Sequence, residues 1–365
     1  MIRTTQVFVW ANLALLVIAD NAWSQALTIT AVTTSSVNTG VTTSRNTVVD
    51  SASNNYTINY DGIELQVLTV TVGGQTYTRW GGGVVIARRN SATEDFSQTN
   101  ANQTVAYNAV NSTSGTGGRT HSVSGRYLNT MELLYQSNNL RSGTENLFVN
   151  TDPTPGNTVS NVERMDYIFS SFITADDSRG FSVFERGGGG SGTNGGFRIA
   201  AITGFSGGLP TFDGSAIIAV ADGAYSNGGA GIGISSYNYD VFRYANAGGP
   251  PQELDFINNV NIGPQHVAGA FFRTTQFVSA GTTVYGYAIF GEDETSLTAA
   301  QLADIANFNT LSPFTNDMDL VASGVGFYAV PEPSTIALLG LVGTGVVYRR
   351  WWRRQRDTLH SAAQA

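Results

Sequence analysis

Gly204-Phe205-Ser206-Gly207-Gly208 sets a serine among glycines in the G-x-S-x-G spacing of a hydrolase nucleophile. Asp222 or Asp255, then His266, would complete a Ser, Asp, His order. The context argues against this chemistry. Such a serine needs a helix directly after it, and Leu209-Pro210-Thr211-Phe212-Asp213-Gly214 reads as turn. Gly187 to Gly192 satisfies G-x-G-x-x-G but lies in a run of glycines with no helix behind it, so a flexible loop is expected. Asp176-Asp177, Asp213-Gly214, Asp222-Gly223 and Glu292-Asp293-Glu294 are loop carboxylates of the kind that can hold extracellular Ca²⁺. None fits an EF-hand or a nonapeptide repeat, and solvated turns account for them. Tyr225, Tyr237 and Tyr239 could stack on sugars, although a sheet core uses the same residues. The expectation is a chain with no catalytic residue, no metal ligand set and no cofactor.

Composition narrows the classes further. The 365 residues contain no Cys and three His, at 121, 266 and 360. Thiol catalysis, thiolate metal sites and Cys-linked lipid anchors are excluded, and the His have no metal-type spacing. All 19 basic residues are Arg. Between Leu27 and Ala329 there are 13 Arg against 24 Asp and Glu, a balance that repels nucleic acid and anionic lipid. Five Arg (Arg349, Arg350, Arg353, Arg354 and Arg356) gather near the end.

The elements between the ends read as strands. Leu27 to Val32 and Ile63 to Val72 alternate apolar and polar residues. The second runs through Gly73-Gly74 into Thr76 to Trp80, a hairpin signal. Runs rich in Val, Ile, Tyr, Phe and Thr follow at Asp166 to Thr174, Gly180 to Arg186, Phe197 to Thr203, Ala216 to Ala221, Ser235 to Tyr244, Val267 to Thr274 and Thr283 to Phe290. Close turn punctuation predicts an all-β, antiparallel, sandwich-like ectodomain. Thr298 and Gln301 form a T-x-x-Q capping box ahead of Leu302, Ile305 and Ala306, which predicts one short helix as far as Phe308. Val32 to Asn55, Ser112 to Gly118 and Gly187 to Gly196 read as loose. If the body has two lobes, they divide near the turn at 151–157.

The two ends carry addresses. Arg3, the apolar run Val7 to Ala19 and the small residues before Leu27 make a secretion signal over 1–26, cut by signal peptidase after Ala26, with Ser24 the other candidate. At the other end, Thr335 to Tyr348 is an uncharged, mostly apolar segment that predicts a short transmembrane helix. Its 14 residues reach about 21 Å as a helix, short of the roughly 30 Å hydrocarbon core. It can span only by bilayer thinning or by snorkelling of the arginines. Trp351 and Trp352 suit the interface, and the arginine cluster belongs on the cytoplasmic side. Pro331 and Pro333 forbid a helix just outside, leaving the extended backbone a protease needs.

Val330-Pro331-Glu332-Pro333-Ser334, the short Gly-containing apolar run and the arginine cluster, together Val330 to Arg356, resemble the PEP-CTERM sorting signal of Gram-negative bacteria. The resemblance implies processing by an exosortase, a membrane-embedded cysteine protease or transpeptidase, in hosts that typically make extracellular polysaccharide or biofilm. Residues 357–365 form a short tail beyond it. The stretches F-S-V-F-E-R-G, F-R-I-A-A-I and V-Y-G-Y-A-I-F-G, within Val162 to Arg186, Phe197 to Thr203 and Thr283 to Tyr328, are also similar to a β-rich extracellular region of other such proteins. That region has no established activity, so no catalytic residue is implied.

The leading expectation is a non-enzymatic surface or matrix protein over 27–329, contributing to biofilm or exopolysaccharide structure or adhesion. Its expected partners are exosortase, signal peptidase, the membrane through its C-terminal segment, and exopolysaccharide; nucleic acid is not among them. The competing classes are an extracellular hydrolase of polysaccharide or ester, and a plain membrane-anchored periplasmic protein. Cleavage after Ala26 predicts a mature chain that starts at Leu27. Intact-mass measurement of the exported protein checks this, and a mass that retains residues 1–26 would contradict it.

Overall fold

A strand buries one face when apolar residues recur at every second position, and this pattern organises most of the chain. The computed structural model describes residues 26–38, 43–46, 55–59, 63–89, 105–110, 122–124, 140, 142–145, 147–148, 162–186, 195–221, 223–225, 231–232, 237–244, 254–308, 318–321, 326–330 and 348–349. In chain order the strands are β1 (Leu27–Asn38), β2 (Thr43–Asn46), β3 (Asn55–Asn59), β4 (Ile63–Val72), β5 (Gln75–Trp80), β6 (Gly83–Arg89), β7 (Val105–Val110), β8 (Ser122–Ser124), β9 (Ser142–Glu145), β10 (Val162–Thr174) and β11 (Arg179–Arg186). They continue with β12 (Phe197–Ile202), β13 (Gly204–Ser206), β14 (Leu209–Thr211), β15 (Ile217–Val220), β16 (Tyr237–Tyr244), β17 (Leu254–Gln265), β18 (Val267–Arg273), β19 (Thr283–Gly291), β20 (Leu320–Val321) and β21 (Gly326–Ala329). The expected all-β, antiparallel class is what forms. Contacts divide the chain into Met1–Tyr328 and Ala329–Ala365.

The largest sheet runs β17-β16-β7-β9-β20-β11-β18-β1-β4-β5-β21, and β21 also pairs with β11. Strands β11, β18, β1, β4, β5 and β21 therefore form a closed circuit, which leaves these six without a long free edge. One edge of β11 is shared. Arg179, Gly180 and Phe181 pair with Tyr328, Phe327 and Gly326, while Phe184 and Glu185 pair with Val321 and Leu320. The β4–β5 turn is the predicted hairpin: Val72 faces Gln75, with Gly73 and Gly74 at φ 55° and 84°. Positive φ at both positions selects glycine.

Alternation along β18 builds two apolar layers. Ala268, Ala270 and Phe272 join the main core, whereas Gly269 and Phe271 point to the other side. There Phe271 meets Tyr77 at 4.4 Å and Phe327 at 6.3 Å between ring centroids. Gly269 lies against Ile29 and Phe184, so a larger residue would press on both. These side chains are buried and fill the space the circuit encloses.

The second sheet has the order β15-β12-β19-β10-β6 and packs face to face on the first. Met165, Tyr167, Phe169, Ile199, Ala201, Tyr287 and Ile289 meet Phe181, Val183, Ala270 and Phe272 in one buried core. Tyr287 is central to it. Its ring stacks on Phe181 (4.4 Å) and Tyr167 (4.7 Å), and its hydroxyl donates to the Ser182 carbonyl at 3.0 Å. Each aromatic pair adds about 0.5–1.5 kcal/mol beyond the area it buries.

The outer face of this sheet has its own apolar cover. Ala200, Ile202, Ala288 and Phe290 pack with Phe212, Leu297, Leu302 and Phe308. Strict alternation cannot place Val284 and Tyr287 together in the inner core while Tyr285 and Ala288 face outward. The alternation breaks at Gly286, at φ 157°, beside a β10–β19 register shift that sets residues 169–172 of β10 against Tyr285 alone. This is a β-bulge, and it turns Tyr285 to the outer face.

Two expectations are corrected. The short helix at 298–308 is a pair of 3₁₀ turns, Gln301–Ala303 and Ile305–Asn307. Gln301 does accept from the Thr298 N–H at 3.0 Å, as the capping box requires. Asp304 then goes extended (φ −113°, ψ 117°), because its carboxylate accepts the Ala306 N–H at 3.0 Å and restarts the turn. The loose reading of Val32 to Asn55 also fails in part. β1 continues to Asn38 along β4, and Thr33 and Thr69 share a 2.7 Å hydroxyl contact. Threonine favours strands, and its abundance here had read as low complexity. The stretches 112–118 and 187–194, expected to be loose, and the turn expected at 151–157 lie outside the described residues.

At Gly286 a Cβ would collide with the Tyr167 carbonyl. Gly286→Ala is expected to destabilise the protein by about 3 kcal/mol or more. Urea unfolding checks this, and an unchanged midpoint would contradict it.

Candidate functional site

The G-x-S-x-G segment folds as a hairpin. Ser206 ends β13 opposite Leu209, and Gly207 and Gly208 make the turn at φ 58° and 82°. Ser206 is exposed on a two-stranded ribbon, with no helix behind it to aim its backbone N–H groups. His266 lies between β17 and β18, next to Gly231, with a buried Nδ1 that has no hydrogen-bond partner. No hydrogen bond joins it to Ser206. Asp222 and the Asp255 side chain lie outside the described residues, as do Gly187 to Gly192 and the side chains of Tyr237 and Tyr239. Tyr225 is fully buried and belongs to the core.

The acidic loops are engaged locally. Asp176 accepts the Ser178 N–H at 2.8 Å and pairs with Arg179 at 3.2 Å. Asp213 and Gly214 form an exposed turn. The Glu292 carboxylate lies against Gly196, and Glu294 is buried. Among the described residues, no three His, Asp or Glu come together in a way that could hold a metal ion.

The strongest polar constellation is one the sequence reading passed over. Arg164 and Asp166, two apart on β10, share the outer face of the second sheet and are fully buried. Asp166 accepts from Arg164 Nε at 2.6 Å and Nη2 at 3.1 Å, and from Arg88 Nε at 2.6 Å. The Arg164 guanidinium also lies 5.1 Å from the Phe212 ring centre and 5.9 Å from that of Phe308. A second buried acid, Glu185, accepts from Gly195 N–H at 2.7 Å and from the Tyr225 hydroxyl at 2.5 Å. What the sequence offered was an Arg and an Asp at strand spacing, Arg164-Met165-Asp166, in a chain with only 13% charged residues.

Ala26 is half-buried against the main core, and β1 begins at the next residue. Val330 is 36% exposed just after β21. Tyr348 and Arg349 are exposed and helical. Pro331, Glu332, Pro333, Ser334, Arg350, Arg353, Arg354 and Arg356 lie outside the described residues. So does most of the segment predicted to span the membrane; among the described residues no helix is long and apolar enough to cross one.

A protein-family model described as the PEP-CTERM protein-sorting motif matches residues 329–354. The chain carries a PEP-CTERM sorting motif. It implies an exported protein with a membrane-anchored C-terminus that an exosortase processes. No curated protein matches this chain. Among solved structures, a chain of infectious bursal virus derived T=1 particles is 11% identical over 84% of this chain and 80% of that one, with a TM-score of 0.11. A likeness that slight carries no argument.

With the PEP-CTERM motif in the tail, the buried charges of the body act on stability. Two arginines converge on one buried carboxylate, so losing it strands positive charge in the interior. Asp166→Asn is expected to cost about 3–5 kcal/mol. Arg164→Met with Asp166→Leu should cost less than the sum of the single changes, because the partners leave together. Chemical denaturation of the four-member cycle measures this, and strict additivity would contradict it.

Proposed function

We propose that this protein is a non-enzymatic component of the cell surface or extracellular matrix, released from the membrane by exosortase processing and contributing to biofilm or exopolysaccharide structure or adhesion. The carrying observation is the PEP-CTERM motif beginning at residue 329, where the last strand of the body ends. In this reading signal peptidase cuts after Ala26. Val330, Pro331, Glu332, Pro333 and Ser334 then present an extended strand to the exosortase. Residues 335–348 hold the chain in the membrane until that cut, and the arginines from Arg349 to Arg356 keep the tail cytoplasmic.

The body's chemistry supports a structural role. Ser206 sits on an exposed hairpin, and the buried carboxylates Asp166 and Glu185 are taken up by arginines, an amide and a tyrosine. Deleting Pro331 to Ala365 is expected to abolish membrane association and processing, with the body escaping to the medium or periplasm. Fractionation and intact mass check this. Trp351 and Trp352 retained in the mature wild-type protein would overturn the processing step.

A further inference from the structure

The outer face of the second sheet is only half covered. Phe212, Leu302 and Phe308 close over Ala288, Phe290 and Arg164. Beyond them the same face stays open. Phe172, 60% exposed, and Phe205, 44% exposed, flank Tyr285 with ring centroids 6.0 and 5.4 Å away. Val84 is 49% exposed and faces Ile168 across the β6–β10 pair, extending this surface. Two devices build the row: the β10–β19 bulge beside Gly286 turns Tyr285 outward and carries Phe172, and the Gly207-Gly208 hairpin brings Phe205. An apolar surface of this kind on an exported protein marks a contact site.

We infer that the Phe172–Tyr285–Phe205 row binds a neutral polysaccharide chain; the inference rests on the reading of the body as a matrix component and names its partner class. The segments that carry the row, 168–174, 203–211 and 282–286, contain no charged residue. Nucleic acid and anionic lipid surfaces need Arg or Lys at the contact; protein interfaces share the aromatic enrichment but set Arg anchors among the rings, and these segments hold none. What surrounds these rings is hydroxyl: Ser170, Ser171, Thr174 and Ser206 are exposed, and Thr203, Thr211 and Thr283 are half-buried. A pyranose has the matching make-up, an apolar C–H face for the ring and a hydroxyl edge for Ser and Thr. The ring planes add a choice among glycans. Tyr285 is turned 59° from Phe172 and 74° from Phe205. Successive sugars must rotate to lie on successive rings, as a free chain does and a flat crystalline face does not.

Affinity electrophoresis of the purified full-length exported protein tests this. The gels contain hydroxyethyl cellulose or dextran as neutral probes and alginate as an acidic one, and microcrystalline cellulose is used in a sedimentation assay. Retardation by a neutral soluble glucan is expected, with none by alginate and no co-sedimentation with the crystalline solid. Phe172→Ala, Tyr285→Ala and Phe205→Ala should each weaken binding about 3- to 10-fold, and Leu68→Ala, at an exposed apolar position of the other sheet, should not. Thermal melts identify any variant that fails to fold, and Phe172→Leu, which keeps apolar bulk without the ring, should still lose affinity. Failure of both neutral probes, equal binding by alginate, or undiminished binding by the triple variant would overturn the inference. So would a wild-type dimer that the same substitutions convert to monomer, since the row would then serve a second copy. Mislocalisation of the chain would count against the sorting reading alone, because binding is measured on purified protein.

Discussion

The close approach of Gly286 to the Tyr167 carbonyl sets the geometry on both sides of the second sheet. A strand that kept strict alternation there could not send Tyr287 into the core and Tyr285 to the surface while holding Val284 inside. The bulge allows all three. On the inner side it leaves Tyr287 stacked between Tyr167 and Phe181, with its hydroxyl satisfied by Ser182. On the outer side it supplies the middle ring of an exposed aromatic row. Stability and the candidate contact surface thus depend on one residue that only glycine can occupy without collision.

Much of this architecture was legible in the residue pattern. Alternation marked β4 and β5, and Gly73-Gly74 marked their turn, because each signal is local and the structure asks nothing more of it. The β-branched and aromatic runs located β10, β11, β12, β18 and β19 to within a few residues. The ring closure was not legible. It depends on β21 meeting β11 and β5, pairings that leave no mark within either strand. The failed helix is instructive for a related reason. Only half of the capping box formed: Gln301 accepts from the Thr298 N–H, but the Thr298 hydroxyl donates to Gln301 Oε1, and Asp304 offered the backbone a competing acceptor three residues later.

The charged residues divide along similar lines. The terminal arginines could be read because they stand next to an apolar run, where position relative to a membrane gives charge a meaning. Arg164 and Asp166 could not be read as a buried pair, since strand spacing alone places them on one face without saying whether that face is wet. Their burial follows from Phe212 and the segment 292–308 closing over the sheet, and the cation–π contacts to Phe212 and Phe308 help hold this cover there.

The six-stranded circuit has a consequence for the order in which the molecule can assemble. Its first strand begins at Leu27, paired with Phe271, and its last is paired through Tyr328 with Arg179. The pairings that close it are remote in sequence, so their entropic cost falls on nearly the whole chain at once. Completion must wait until residue 328 is available. A body wired in this way stays incomplete while its C-terminal end is still being delivered, and becomes a finished fold only when the sorting segment is next in line.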